Sequence, residues 1–266
     1  MNLFLLEGAA FFLYFASSIS LIKDIKQKRR QKIALLLASI AATGHASSIL
    51  LSAWDKQTID FGFFHTASII SVIIVFLLLI ASFSKPVEKL GIALFPLAAL
   101  MLALDIAFPN LANTSPTENS LAMNTHILSS IVAFCLLTIA AFQALLLAIQ
   151  NNQLKSHNPG RLMLSFPPLQ AMESLLFQMI SAGLLFLSIS LVSGFIFIDD
   201  LFAQHLAHKT MLSILAWLTF SALLIGRKLY GWRGKIAVRW TLYGFLALLL
   251  AYFGSKFVLE IILNKV

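Results

Sequence analysis

From His126 to Ile149 the chain reads HILSSIVAFCLLTIAAFQALLLAI, without a single Asp, Glu, Lys or Arg. A helix of that length crosses the hydrocarbon core of a bilayer, roughly 30 Å thick, for which about 20 apolar residues suffice. The lone cysteine, Cys135, sits inside this run, which excludes an intrachain disulfide and any multi-cysteine metal site; it reads as a small packing residue. The run is flanked by Pro109–Thr125 and Gln150–Glu173, the longest connections in the chain. Beyond them lie seven more stretches of the same kind, near residues 3–22, 33–53, 65–84, 90–108, 174–198, 210–226 and 240–262.

Composition agrees with this reading. Of 266 residues 59% are hydrophobic and 11% charged, and the mean hydropathy is +0.90. At about 20 residues per crossing, that apolar fraction supplies about eight crossings. It is far more apolar surface than a soluble domain of this length can bury, so a water-soluble enzyme is excluded. The expected fold is an all-α membrane protein, a bundle of about eight transmembrane helices forming one polytopic domain over residues 1–266. The first stretch opens Met1-Asn2-Leu3 with no basic residue, unlike a cleavable signal peptide, and reads as a retained helix.

Nineteen Lys and Arg stand against eleven Asp and Glu. In a soluble protein such an excess suggests nucleic acid; in a membrane protein it is an orientation signal, and no nucleic-acid partner is expected. Two runs are strongly basic, Lys23 to Lys32 between the first two segments and Arg227 to Lys235 between the last two. Alternating crossings place Lys85, Lys89, Lys155, Arg161 and Arg239 on the same side as these runs. That side holds 15 of the 19 basic residues, and the other holds only Lys56, Lys209, Lys256 and Lys265. The positive-inside rule makes the basic side cytoplasmic and sets both termini in the periplasm. The runs also suit anchorage against anionic lipid, and Tyr230-Gly231-Trp232 adds interfacial aromatics.

Asn158-Pro159-Gly160 and Phe166-Pro167-Pro168 mark turns in the inner loop rather than a folded module. The chain has no Gly-rich phosphate loop, no HExxH and no GxSxG, and no nucleophile is placed beside a base, so it does not read as an enzyme. No internal repeat of the transporter kind is evident.

Ionisable residues within hydrocarbon are costly and are the first candidates for function. Five of the six histidines, His45, His65, His126, His205 and His208, fall in the outer half of the bundle or the loops beyond it; His157 lies in the inner loop. His126 opens the fifth segment and His208 precedes the seventh. Two such imidazoles facing an outer cavity can serve as axial ligands to haem iron within apolar walls, or they can cap helix starts at the wet interface. His45 lies deeper, with Ser48 on the same helical face, as a third site residue, a relay or a polar group satisfied between helices. Glu7, Asp105, Lys256 and Glu260 lie near outer segment ends. Lys256 can pair with Glu7 or Glu260, snorkel to the surface, or meet an anionic group such as a haem propionate.

His208 to Trp217, Gly226-Arg227, Tyr230 to Gly234 and Ala251-Tyr252-Phe253-Gly254-Ser255-Lys256 resemble the corresponding runs of the CcsA/CcmC/HemX cytochrome c assembly family. Phe166 to Leu169, Met172-Glu173 and Gly194-Phe195 fit the same pattern. The resemblance extends over essentially the whole chain, is most recognisable over 65–262, and is most specific from His208 to Lys256. It implies a bacterial inner-membrane protein that binds or handles haem b in cytochrome c-type biogenesis. His126 and His208 would be the axial ligands, His45 an accessory site and Lys256 a cofactor contact, with other cytochrome assembly membrane proteins as partners. Haem-delivering members carry a tryptophan-rich WWD signature between the two histidine positions; here Trp54, Trp217, Trp232 and Trp240 form no such cluster. The competing readings are a transporter or ion-transport accessory protein using Asp105, Glu7 and the histidines, and a HemX-like regulatory protein without chemistry of its own.

Overall fold

The computed structural model describes residues 3–23, 28–56, 62–108, 121–156, 160, 166–197 and 204–254. Among them are eight long helices and no strand. They are α1 (Leu3–Lys23), α2 (Lys28–Lys56), α3 (Phe63–Ser82), α4 (Gly91–Ala107, entered through a 3₁₀ turn at Glu88–Leu90), α5 (Leu121–Lys155), α6 (Leu169–Phe197), α7 (Gln204–Tyr230) and α8 (Lys235–Leu249, continued by a π-helical turn at Leu250–Gly254). Each is long and apolar enough to cross a membrane. Large apolar side chains such as Phe4, Leu36, Leu50, Ile80, Leu185 and Leu218 are exposed. In a bilayer that surface faces lipid tails, and only the helix seams need shape complementarity.

The chain forms two compact units, α1 to α4 and α5 to α8. In the first unit α1 packs on α2 and α4, and α3 packs on α4 and α2. The buried seam of α2 is Ala34, Ala38, Ala41, His45 and Ser48. This four-three spacing of small residues lets backbones approach closely where no hydrophobic effect drives helices together. The buried face of α1, Ala10, Tyr14, Ser17, Ser18 and Leu21, follows the same helical period. Ser17 donates to the carbonyl of Ala34 at 2.7 Å. Ser18 donates to the carbonyl of Ile92 at 3.0 Å, and α4 contains Pro96. Proline has no N–H to give the carbonyl four residues back, so the Ser18 hydroxyl satisfies the group that Pro96 leaves open.

In the second unit α5 packs against α6 and α8, α6 against α7, and α7 against α8. The α6 seam runs Leu176, Ile180, Gly183, Leu187, Ser190 and Gly194. A Cβ on Gly183 would lie 2.7 Å from Leu137, so the absent side chain sets the α5 to α6 separation. The pairing is antiparallel: Gly194 meets His126 near the start of α5, Gly183 meets Leu137 halfway, and Gln143 donates to the Met172 carbonyl. Between α7 and α8, Gly231 and Gly234 adopt positive φ, and the amides of Gly231 and Trp232 bond back to Arg227 and Gly226. These bonds satisfy the last carbonyls of α7 and end it at Tyr230.

The eight spans overlap those expected, with differences at the ends, and residues 255–262 of the expected eighth span lie outside the described residues. Helix α5 continues to Lys155, and α6 starts at Leu169 just after Pro168, so the inner connection is shorter than Gln150–Glu173. Asn, Gln and Lys keep helical backbone once outside hydrocarbon, and Lys155 in the last turn suits the helix dipole. Helix α5 begins at Leu121 and α7 at Gln204, which puts His126, expected to open its helix, and His208, expected to precede its own, more than a turn inside them.

Candidate functional site

At the end of the second unit where α5 begins and α6 ends, the His126 ring lies against α6. Its Nδ1 is 2.8 Å from the Ser190 carbonyl oxygen, with the Ser193 hydroxyl at 3.4 Å. A carbonyl only accepts, so Nδ1 carries the proton and Nε2 keeps its lone pair. That arrangement fixes the orientation of a ring whose other nitrogen could ligate a metal. Gly194 makes room for it: a Cβ there would stand 3.1 Å from Cε1 and 3.2 Å from Nδ1 of His126.

One turn along the same face, Ser130 shares a 2.9 Å hydrogen bond with the Tyr252 hydroxyl. One further turn on, Phe134 packs against Tyr252 (ring centroids 4.8 Å), Phe253 (5.6 Å) and Phe245 (6.0 Å). Tyr252 and Phe253 belong to the π-helical turn, a distortion that often re-aims side chains at functional positions. His126 thus stands at the head of a face that continues as an aromatic wall.

His208 is exposed on α7. Trp217 donates its indole N–H to Ser188 at 2.9 Å, which fixes the register of α7 against α6. The short connection makes that pair antiparallel. Nine residues from Trp217 toward the helix start is His208; nine from Ser188 toward the end of α6 is Phe197. His208 therefore lies at the same end of the unit as His126, on the other helix flanking α6. Among the described residues no hydrogen bond or ring contact joins the two imidazoles. Lys256 and the His205 side chain lie outside the described residues.

His45 belongs to the first unit and is fully buried. Its Nε2 is 2.8 Å from the Ser68 hydroxyl of α3 and its Nδ1 is 3.4 Å from the Tyr14 hydroxyl of α1. Ser48, the partner expected from spacing, instead donates to the His45 backbone carbonyl at 2.8 Å. With both ring nitrogens engaged, His45 is suited to a relay or a structural bond. Nearby on α3 and α4, His65 Nδ1 lies 3.0 Å from the Asp105 carboxylate, a hydrogen bond that becomes an ion pair when the ring is protonated, and Glu7 of α1 lies within electrostatic reach of both.

In sequence His65 and Asp105 meet only in the competing ion-transport reading, Gly194 and Tyr252 stand only within the family-like runs, and no motif marks Ser190. A backbone acceptor leaves no mark in sequence, though Ser190 and Gly194 at four-residue spacing on a small-residue seam are a signal of close approach. Among the described residues, no three His, Cys, Asp or Glu side chains converge where a metal ion could sit. What the second unit offers is an oriented imidazole on α5 with an aromatic cluster around Phe134 two turns further along the same helix, residue types that can serve an apolar metal-bearing ligand.

The family model for the cytochrome C assembly protein matches residues 33–263. The inner membrane protein YpjD of Escherichia coli (strain K12) is 30% identical over 258 residues, covering 94% of this chain and 95% of the relative. The cytochrome c biogenesis protein CcsA of Prochlorococcus marinus (strain NATL1A) is 28% identical over 107 residues, 40% of this chain and 33% of the relative. CcsA of Chlamydomonas reinhardtii is 26% identical over 193 residues, 70% of this chain and 54% of the relative. No solved structure matches. Eight membrane-capable helices and a full-length likeness to an inner-membrane protein mark a multi-pass protein of the bacterial inner membrane. The chain belongs to the cytochrome c assembly protein family.

Proposed function

We propose that this protein handles haem in cytochrome c-type biogenesis, holding haem b at the periplasmic end of its second unit with His126 and His208 as axial ligands. The observation that carries the reading is the His126 Nδ1 bond to the Ser190 carbonyl, which leaves Nε2 available as a metal ligand. Family membership supports the haem assignment. The 15-to-4 division of basic residues supports the orientation, with both termini periplasmic.

In this reading His126 is the preoriented ligand. His208, exposed on α7, is the ligand that a macrocycle would draw in. Phe134, Tyr252 and Phe253 supply the apolar wall, and Lys256 is placed by sequence to meet a propionate. When bound, haem supplies the iron chemistry; the protein binds, orients and keeps water away, and we assign it no bond-making step. Its partners are haem, the lipid bilayer and other membrane proteins of cytochrome assembly. His45 acts as an accessory relay rather than a ligand.

The test is the absorption spectrum of full-length protein, expressed with ample haem and purified in detergent. A Soret band is expected, with bound haem falling at least about tenfold in His126→Ala combined with His208→Ala, the effect of losing about 1.4 kcal/mol or more of binding. Folded wild-type protein without a Soret band, or a double variant that keeps it, would overturn the assignment.

A further inference from the structure

At the opposite end of the second unit, where α5 finishes and α8 starts, lies a cavity of about 200 Å³. Its lining is amphipathic. Leu147, Ala148 and Val238 form an apolar floor, while Asn151, Asn152, Lys235 and Arg239 surround the mouth. Lys235 and Arg239 are four residues apart on α8 and so share a face. Both are exposed, and among the described residues neither forms an ion pair or hydrogen bond; the two carboxamide side chains also lack partners there. Glu173 contributes a carboxylate near this end, but it accepts the Gly234 N–H at 3.3 Å and so occupies the start of α8.

We propose that this cavity binds one phosphate-bearing anion, and specifically the headgroup of an anionic phospholipid. Lys235 and Arg239 are cationic donors and Arg239 offers a planar fork for phosphate oxygens. Asn151 and Asn152 add neutral donors that can hydrogen-bond a phosphodiester or glycerol oxygen. The choice of a lipid over a free ion rests on the floor. Leu147 lies one turn from Asn151 toward the middle of α5, and Val238 nearly one turn from Lys235 toward the middle of α8, so an anion held at the mouth has apolar wall on its membrane side, where an acyl chain would run. Basic pockets between helices at the cytoplasmic face select such headgroups in this way.

The experiment is native mass spectrometry of full-length protein in detergent, titrated with phosphatidylglycerol, phosphatidylcholine or inorganic phosphate. Wild type is expected to retain one phosphatidylglycerol in preference to phosphatidylcholine, and millimolar phosphate should not displace it. Lys235→Gln with Arg239→Gln should lower that occupancy about tenfold, and Asn152→Ala should lower it less. Lys228→Gln with Arg233→Gln removes the same charge outside the cavity and should leave the occupancy unchanged. Equal retention of the two lipids, or equal losses in both double variants, would overturn the site. Phosphate binding that is lost only in the cavity variant, without lipid preference, would support the anion site and overturn its assignment to lipid.

Discussion

His126 is the residue on which the functional reading turns, and its geometry is set by what α6 lacks. With Gly194 in place the ring reaches the Ser190 carbonyl; a larger residue would push it off. Gly194→Val is expected to cost about 1–3 kcal/mol by overpacking and to weaken haem retention about tenfold or more. Chemical unfolding in detergent beside the Soret titration separates the two effects. A variant that binds haem as wild type does would show that the Ser190 bond does not position the ring. His45 has different consequences, since it is buried between Tyr14 and Ser68. Ser68→Ala should cost about 0.6–2 kcal/mol, the range for hydrogen bonds within membrane bundles. Tyr14→Phe should cost less because its contact is longer. Neither should change the haem spectrum, and a spectral change in Ser68→Ala would move His45 into the haem site. Spacing in sequence put Ser48 beside His45, but a serine within a helix returns its hydroxyl to a carbonyl three or four residues back. The ring's real partners arrive from α1 and α3, which no reading along one helix reveals.

The helices carry their own test in the pairing of Ser18 with Pro96. Ser18→Ala strands the Ile92 carbonyl in an apolar bundle and should destabilise by about 1–2 kcal/mol. In a Pro96→Ala background, where the restored N–H can serve that carbonyl, the same change should cost little. Equal costs in both backgrounds would refute the account of why Ser18 is there. At this scale the sequence was highly legible, because lipid forces every crossing to be an apolar helix and so each hydropathy run has one outcome. The ends were less so: polarity marks where a helix leaves hydrocarbon, whereas α7 stops at Tyr230 because the Gly231 and Trp232 amides cap its last carbonyls. The π-helical turn at Leu250–Gly254 has no periodicity signal, yet it is what sets Tyr252 against Ser130.

For the molecule as a whole, the distribution of basic residues predicts an orientation. Reporter fusions after Arg30 and after Gly234 should report the cytoplasm, and one after Ser120 the periplasm; the reverse pattern would put His126 and His208 on the wrong face for periplasmic haem. Charge placement distinguishes the two ends of the expected helices in sequence, and the proposed periplasmic placement of the histidines rests on it. The setting of His126 was not legible, since it depends on α6 bringing a backbone oxygen and an absent side chain to that one ring. The most direct test of the central claim is therefore made on His126 itself. Full-length His126→Gly, purified beside wild type with haem supplied, should lose the wild-type low-spin spectrum and regain it when free imidazole is added, as expected if Nε2 ligates the iron. A wild-type spectrum in the variant before imidazole is added, or a folded wild type that takes up no haem, would contradict it.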